Sequence, residues 1–326
     1  MVSSLMGLGA MRAADRNHLG MLGMHGTFAS NKAVHQSDLL VSIGVRFSDR
    51  VTGKISGFSP KSKKIHVDID PAEINKIIQV DLPIVSDAND FLQFVKENLD
   101  FEQTQSNIKE WAGVTSTMKR IVPRFDKSNS ILRPQTVIRM LDEFSGEDTV
   151  VVTDVGQHQI WTANHYHFTK PRTLVTSGGL GTMGYGLPAA IGAMVGSPMK
   201  EVVCVSGDGS FQMNLQELIT AVHYKLPIKI AIMNNGYLGM VRQWQEMFYD
   251  RRYSSVKMTS PDFVKLACAY GVEGYRANTE DEAREVIMKA FLHDGPALME
   301  FNVIEEENVY PIVPPNHSND QLILSK

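Results

Sequence analysis

The stretch "KEVVCVSGDGSF", residues 200–211, decides the fold of the longer half of the chain. Its apolar run is typical of a β-strand that is covered on both faces of a parallel sheet, and Gly207 and Gly209 flank Asp208 where that strand ends. Glycine lets a backbone approach another group closely, and open parallel sheets bind ligands outside the carboxyl ends of their strands. We therefore predict a buried strand that ends at a ligand site, with Asp208 placed to contact the ligand.

Similar apolar runs alternate with helical patterns along most of the chain. This alternation predicts an α/β protein with a parallel sheet in each of two domains, the second of them doubly wound. The other predicted strands are "LLVSIGV" (39–45), "KKIHVDID" (63–70), "LPIVSDA" (82–88), "DTVVVTD" (148–154), "TLVTS" (173–177), "IKIAIMNN" (228–235) and "PALMEFNV" (296–303).

The strand signals stop and restart once, which predicts the domain boundaries. We expect a first domain over residues 1–100, a polar helical linker interrupted by proline over 101–132, and a second domain over 133–326. Within the first domain, "DPAEINKII" (70–78) predicts a helix with Asp70 as its cap and proline in its first turn.

The composition indicates a globular protein that acts on small molecules. The 326 residues are 43% hydrophobic and carry a formal net charge of −4, with no basic block that would mark a nucleic-acid or membrane surface. No apolar run is long enough to cross a bilayer. The two cysteines, Cys204 and Cys268, lack metal-binding spacing, so we expect two core thiols in a reducing compartment, the cytoplasm.

Four loops follow predicted strands of the second domain and should meet at one edge of its sheet. They contain many glycines, the imidazole of His158 and amide side chains, but no serine, histidine and acid set at a nucleophile elbow, which disfavours covalent hydrolysis.

Backbone N–H groups at helix starts bind phosphate, and side-chain oxygens suit Mg²⁺. Asp208 and Asn235 are separated by one crossover, which returns the chain to the same edge and lets both side chains face one ion. The loops are "TDVGQHQ" (153–159), "TSGGLGTMGYG" (176–186), "SGDGSF" (206–211) and "MNNGYLGMV" (233–241).

The motif "GLGTMG", residues 179–184, supports a competing interpretation. It matches the dinucleotide-binding pattern G-x-G-x-x-G, with Asp208 as the acid that contacts a ribose. The glycines on both sides of Asp208 and the second oxygen cluster, Asn234 and Asn235, favour a metal-diphosphate site instead, because a ribose contact needs neither.

Longer motifs resemble a known family. "GDGSF" followed one crossover later by "NN" is similar to the signature of thiamine-diphosphate (ThDP) enzymes. "SGGLGTMGYGLPAAIGA" (177–193) and "NNGYLGMVRQWQEMFY" (234–249) resemble the large catalytic subunits of acetolactate synthases, also called acetohydroxyacid synthases. The resemblance runs from about Leu5 to the C-terminus.

The resemblance implies a role for each residue of the second-domain loops. Magnesium is held by the side chains of Asp208 and Asn235 and by the backbone carbonyl of Tyr237, while Met183 is an apolar wedge that keeps the cofactor bent. Trp244 lines the pocket of the second substrate. The implied ThDP contacts are Val155, Gly156, Gln157, His158, Met183, Gly207, Asp208, Gly209, Ser210, Asn235, Gly239, Met240 and Val241.

The first domain resembles the FAD-binding middle domain of the same family, in "GMLGMHG" (20–26), "GVRFSDRVTG" (44–53) and "HVDIDPAEIN" (66–75). Arg50 is also implied to clamp the carboxylate of the second ketoacid. Ser48 departs from the family, where most relatives have an acid. The implied FAD contacts are Gly44, Arg46, Arg50, Asp68, Ile69 and Asp87.

The implied reaction decarboxylates pyruvate and joins the remaining two-carbon unit to pyruvate or 2-ketobutyrate. The products, acetolactate or acetohydroxybutyrate, feed branched-chain amino acid synthesis, and FAD is structural. The family also implies a homodimer or larger oligomer and a regulatory small subunit.

In the family, an N-terminal domain of the partner subunit supplies the glutamate that activates the cofactor, and this sequence contains no such domain. We therefore expect a fragment, or one of two chains that share the enzyme, with little activity when isolated. The alternatives are another ThDP carboligase or decarboxylase, of the glyoxylate carboligase or pyruvate oxidase type, and a non-catalytic cofactor-binding module.

Overall fold

The structure, a computed structural model, describes residues 1–123 and 131–325. These residues form two compact units. The described part of the first unit comprises residues 1–4, 15–123 and 310–325, and that of the second comprises 5–14 and 131–309. Compared with the predicted domains, residues 5–14 belong to the second unit and residues 310–325 to the first. The domain boundaries stay a prediction.

The first unit contains a three-stranded parallel sheet in the order β1-β2-β3. Its small core includes Phe47 and Phe58, whose rings meet edge to face with centroids 5.8 Å apart. The strands are β1 (Leu39–Ile43), β2 (Lys63–Asp68) and β3 (Leu82–Val85), and the helices are α1 (Phe28–Gln36), α2 (Asp49–Thr52), α3 (Ala88–Asn98), α4 (Phe101–Met118) and the 3₁₀ helix Ile55–Gly57.

Helix α4 (Phe101–Met118) lies within the segment that the sequence predicts to be a helical linker. Trp111 and Met118 of this helix pack against a buried cluster of Leu19, Ala29 and Ala33 in the first unit. Apolar side chains at helical spacing thus attach the segment to a core. Residues 124–130 of the predicted linker lie outside the described residues.

The helix predicted over residues 70–78 is also wrong, because this segment forms turns. Glu73 N–H does bond to the Asp70 carbonyl over 3.1 Å, but Asn75 has a φ of +58°. The Asn75 Oδ1 accepts a hydrogen bond from Val80 N–H over 2.9 Å. This side chain competes with the backbone for hydrogen bonds, which ends the helical turn.

The second unit contains a six-stranded sheet, all parallel, in the order β5-β4-β6-β7-β9-β8. The predicted α/β fold with two parallel sheets is confirmed. The strands are β4 (Val150–Thr153), β5 (Leu174–Thr176), β6 (Val202–Gly207), β7 (Lys229–Asn234), β8 (Glu273–Ala277) and β9 (Ala297–Asn302). The helices are α5 (Pro134–Phe144), α6 (Gln157–His165), α7 (Gly186–Gly196), α8 (Asp208–Phe211), α9 (Leu218–His223), α10 (Gly239–Phe248), α11 (Phe263–Tyr270), α12 (Glu280–Leu292) and the 3₁₀ helices Leu5–Gly7 and Leu215–Glu217.

Helices cover both faces of this sheet. Helices α5, α6 and α12 pack together on one face, and α7, α8, α9 and α11 contact one another on the opposite face. On the second face, Cys204 and Ile230 of the sheet pack against helix residues such as Met194, Phe211 and Phe263. Burial of the strands from both sides explains their continuous apolar runs.

The strand order creates a crevice between β4 and β6. The chain leaves β4 through α6 towards β5 on one side, and it leaves β6 through α8 and α9 towards β7 on the other. Connections that diverge in this way open a ligand-binding crevice at the carboxyl ends of the two strands.

The two cysteines differ, contrary to the prediction that both are core thiols. Cys204 is buried within β6, whereas Cys268 is exposed on α11, because that helix packs against the core through Phe263 and Ala267 instead. Among the described residues, no helix is both long and apolar enough to cross a membrane.

Candidate cofactor site

A cleft lies at the carboxyl ends of β4, β6 and β7. Every residue that the sequence assigns to ThDP or magnesium lines it. Three further lining residues, Trp161, Met233 and Leu238, were missed. Leu238 adjoins Tyr237, Trp161 follows His158 by one helical turn, and Met233 pairs with Gly207 across β6 and β7. The assigned residues are Val155, Gly156, Gln157, His158, Met183, Gly207, Asp208, Gly209, Ser210, Asn235, Tyr237, Gly239, Met240 and Val241.

Asp208 is a buried carboxylate at the start of α8, with only 1% of its surface exposed. Burial raises its pKa to about 6, and a hydrogen bond from Ser260 Oγ to Oδ2 over 3.2 Å opposes this shift. The side chain is therefore ionised near neutral pH in a place where an anion is costly. A bound cation would offset that cost.

The two asparagines after β7 face different groups. Asn235 is buried, and its Oδ1 accepts from Tyr237 N–H over 3.1 Å while its Nδ2 lies 3.4 Å from Gln157 Oε1. Asn234 instead donates to Glu300 Oε1 over 2.7 Å. Of the predicted oxygen cluster, the structure therefore places Asn235 in the cleft and directs Asn234 towards the neighbouring strand.

The oxygen atoms at the cleft suit a magnesium ion that takes its remaining ligands from the phosphates of a bound molecule. Asp208 supplies one carboxylate, Asn235 an amide oxygen with a free lone pair, and Tyr237 a backbone carbonyl. The described residues contain no group of three or more His, Cys, Asp or Glu side chains that could hold a metal ion. Mg²⁺ commonly binds through one or two carboxylates together with substrate phosphates, so the donor set suits this ion.

His158 lines the cleft and has a buried ring nitrogen without a hydrogen-bond partner among the described residues. The ring is 5% exposed, and a Cβ atom at Gly207 would lie 2.9 Å from its Nδ1. Burial lowers the pKa of His158 to about 4, although Asp154 opposes the shift, so the imidazole is neutral at neutral pH. Its buried Nε2 has no hydrogen-bond partner among the described residues. Buried polar atoms are nearly always paired, which is consistent with a ligand in the cleft.

The glycine-rich turn that carries Met183 is held by Asp154, a residue that the sequence analysis missed. Asp154 Oδ1 accepts from Gly184 N–H and Oδ2 from Gly186 N–H, each over 2.9 Å. Gly184 has a φ of +87°, and a Cβ there would lie 2.8 Å from Asn214 Nδ2. Because these N–H groups bind a carboxylate of the protein, they do not face a pyrophosphate, which disfavours the dinucleotide interpretation. The acid directly after β4 in "TDVG" was the available signal.

Two residues assigned to catalysis lie elsewhere. Trp244 is half-buried on α10 and packs edge to face against Phe248, with ring centroids 5.4 Å apart, but it is not among the residues that line the cleft. Arg50, in the first unit, is exposed and pairs with the adjacent Asp49.

Three of the residues assigned to FAD lie at the carboxyl edge of the three-stranded sheet. Gly44 follows β1, Asp68 ends β2 and Asp87 follows β3, where it caps α3. Asp68 is buried and its Oδ1 accepts from Asp70 N–H over 2.9 Å. The other assigned residues, Arg46, Arg50 and Ile69, are exposed.

A glycine-lined cleft with a buried carboxylate, at the switch point of a doubly wound sheet, defines an α/β protein of the class that binds phosphorylated cofactors. Two family descriptions match this chain. "Thiamine pyrophosphate enzyme, C-terminal TPP binding domain" matches residues 154–301, and "Thiamine pyrophosphate enzyme, central domain" matches residues 1–95. The chain belongs to the thiamine pyrophosphate enzymes.

Its relatives narrow the family further. The chain is 44% identical over 98% of its length to the acetolactate synthase isozyme 2 large subunit of Escherichia coli K12, of which it covers 58%. It is 43% identical over 99% of its length to the acetolactate synthase large subunit of Haemophilus influenzae and 46% over 98% to that of Corynebacterium glutamicum, covering 57% and 53% of them. The chain is thus a homologue of acetolactate synthase large subunits and spans somewhat more than half of their length.

Proposed function

We propose that this chain forms the cofactor-binding part of an acetolactate synthase and holds ThDP and Mg²⁺ in the cleft at β4, β6 and β7. The observation that carries the proposal is that all the residues assigned to ThDP and its metal line one cleft. The names of relatives at 42–46% identity support the particular reaction.

Each part of the cleft has a role in this proposal. Asp208, Asn235 and the Tyr237 carbonyl bind Mg²⁺, and Gly207 and Gly209 leave room for the diphosphate. Met183, on the turn held by Asp154, would give the bound cofactor an apolar contact. The bound cofactor would supply the electron sink for decarboxylation of pyruvate and its joining to a second 2-ketoacid, pyruvate or 2-ketobutyrate.

The remaining assignments belong to the same proposal. The carboxyl edge of β1, β2 and β3 binds a structural FAD, Arg50 binds the carboxylate of the second ketoacid, and Trp244 lines the pocket of that substrate. The relatives' designation as large subunits supports assembly into an oligomer with a regulatory small subunit. Both cysteines are free thiols, which agrees with a cytoplasmic location.

Calorimetry of the 326-residue chain with ThDP tests the proposal, with and without Mg²⁺. We expect binding that depends on the metal and that Asp208→Asn abolishes. Asp148→Asn is the control, because Asp148 is an exposed acid whose partner is Lys170. Equal ThDP binding with and without Mg²⁺ would contradict the proposal, as would binding of NADH that is indifferent to Asn235→Ala.

Product analysis tests the reaction. The isolated chain is expected to have little activity, so pyruvate is incubated with this chain, ThDP and Mg²⁺ for a long time, and we expect ¹³C NMR to show that the small amount of product is acetolactate. Efficient conversion of glyoxylate to tartronate semialdehyde would favour the glyoxylate carboligase alternative.

A further inference from the structure

The segment 256–260 runs beside the loop that follows β7 and contains none of the residues assigned to a cofactor, metal or substrate. It follows α10 and precedes α11. An antiparallel bridge between Tyr237 and Lys257, a hydrogen bond from Leu238 N–H to the Val256 carbonyl (2.8 Å) and one from Met258 N–H to the Gly236 carbonyl (2.8 Å) join the two. These bonds fix the backbone on both sides of Tyr237, whose carbonyl is a proposed magnesium ligand.

The same segment reaches a second proposed ligand through Ser260. Ser260 Oγ lies 3.2 Å from Asp208 Oδ2. On its other side, Gln212 Nε2 donates to Ser260 Oγ over 3.5 Å and to the Asp208 carbonyl over 3.1 Å. Because the Gln212 amide nitrogen can only donate, the Ser260 hydroxyl keeps its own proton for the carboxylate.

The contact occupies one oxygen of a buried carboxylate and fixes its rotation. Asp208 Oδ2 is bonded to Ser260, so the plane of the carboxylate is set before a cation arrives. Residues that orient metal ligands in this way typically change metal affinity by about 10–100-fold when they are removed. The segment 256–260 supplies no assigned ligand itself, yet it contacts two of the three residues that do.

We propose that Ser260 is a positioning residue for the metal site, and that its hydroxyl holds the Asp208 carboxylate in the orientation that binds a divalent cation together with a diphosphate. The inference rests on the proposed function. It extends that function to a residue outside the family motifs quoted above.

Manganese(II) serves as the probe, titrated into the full chain at saturating ThDP while free Mn²⁺ is followed by electron paramagnetic resonance. We expect Ser260→Ala to weaken Mn²⁺ binding about tenfold or more. Ser260→Thr keeps the hydroxyl and should restore the affinity to within about threefold of the wild type, well short of the loss expected for Ser260→Ala. Thr259→Ala, at the exposed neighbouring position, is the matched control and should leave the affinity unchanged.

A second set of measurements separates positioning from folding. Without metal or ThDP, Ser260→Ala should lose some stability, because a hydrogen bond to a buried carboxylate is removed, but it should still unfold in one cooperative thermal transition like the wild type, which shows that the variant folds. Gln212→Met, which leaves Ser260 in place but removes the donor that orients it, should weaken Mn²⁺ binding less than Ser260→Ala does. Wild-type Mn²⁺ affinity in Ser260→Ala, or a Ser260→Thr variant as weak as Ser260→Ala, would overturn the inference.

The outcomes also distinguish this inference from the proposed function. If the wild type binds no Mn²⁺ in the presence of ThDP, the proposed function fails and the inference fails with it. If the wild type and Ser260→Ala bind it equally while Asp208→Asn does not, only the role of Ser260 is refuted.

Discussion

The carboxyl edges of the two parallel sheets were assigned to cofactors by the same family resemblance, but they differ in burial. At the six-stranded sheet, Asp154, Asp208 and Asn235 are each less than 9% exposed and have hydrogen-bond partners. At the three-stranded sheet, Arg46 is exposed and Ile69 is 70% exposed. Strand topology alone gathers residues at an edge, whereas a closed site also needs loops and helices that bury them.

The difference predicts two kinds of mutational effect. Substitutions at the buried edge should change folding stability as well as ligand binding, because their partners are already in place. Substitutions of the exposed residues at the edge of the three-stranded sheet, Arg46 and Ile69, should change binding alone. The following predictions test this separation, from the largest expected effect to the smallest.

Asp154→Asn should cost the most stability. The carboxylate accepts three backbone N–H groups, from Val155, Gly184 and Gly186, and an amide would turn an N–H donor towards one of them. We expect a loss of about 2–4 kcal/mol in the free energy of unfolding, measured by urea denaturation. Asp148→Asn is the exposed control, and a change below about 0.5 kcal/mol for Asp154→Asn, the level of an ordinary surface substitution, would contradict the account.

Asp208→Asn should stabilise the metal-free protein, with a defined pH dependence. Burial raises the pKa of Asp208 to about 6 from 3.8, so the folded state binds this proton more tightly than the unfolded state. The destabilisation that the buried Asp208 causes in the wild type is therefore absent below about pH 4. It grows as the pH rises to 6 and stays constant above that.

At about pH 7.5 we expect Asp208→Asn to be more stable by about 2–3 kcal/mol, measured by urea denaturation, and to have lost metal-dependent ThDP binding. A stability difference that does not change between pH 4 and pH 7.5 would show that the charge of Asp208 is not its cause.

Gly239→Ala should damage both folding and binding. A Cβ atom at this position would lie 2.0 Å from Gln157 Oε1, which is buried and held by a bond from its own amide to Gln243. We expect destabilisation by about 1–3 kcal/mol and weaker ThDP binding in calorimetry. In Gly192→Ala, the control on α7, the added atom meets nothing within 4 Å, and that variant should gain up to about 1 kcal/mol.

Arg46→Ala should leave stability within about 0.5 kcal/mol of the wild type, because the side chain is exposed. If the edge of the three-stranded sheet binds FAD, the same variant should weaken FAD binding, followed by the change in flavin fluorescence. Lys61→Ala, an exposed residue of the same unit, is the control. A large loss of stability in Arg46→Ala would remove the contrast between the two edges.

The strands with continuous apolar runs could be predicted, because burial on both faces demands such a run. Strand β8, "EGYRA", was missed, since an edge strand has exposed positions and no apolar run. The helix predicted over residues 70–78 does not form, because the Asn75 Oδ1 accepts a hydrogen bond from Val80 N–H that competes with helical hydrogen bonds. Local sequence patterns therefore predict an element correctly where all its residues are in the same environment, as in a strand buried on both faces.

The same limit applies to the site. The loops that gather at the cleft were predicted, because consecutive crossovers return the chain to one edge of the sheet. Asp154, Trp161 and Ser260 were not, since their importance depends on which groups the fold brings to them from distant parts of the chain. The contact between the rings of Trp244 and Phe248 was not predicted either, and the substrate-pocket role of Trp244 stays a prediction.

The most direct test of the central claim is an anomalous diffraction map of crystals of this chain grown with ThDP and Mn²⁺. The account predicts one manganese peak in the cleft, about 2.1 Å from a carboxylate oxygen of Asp208, the Asn235 amide oxygen and the Tyr237 carbonyl, with diphosphate oxygens completing the shell. A map with ThDP bound elsewhere, or with manganese bound away from Asp208 and Asn235, would contradict it.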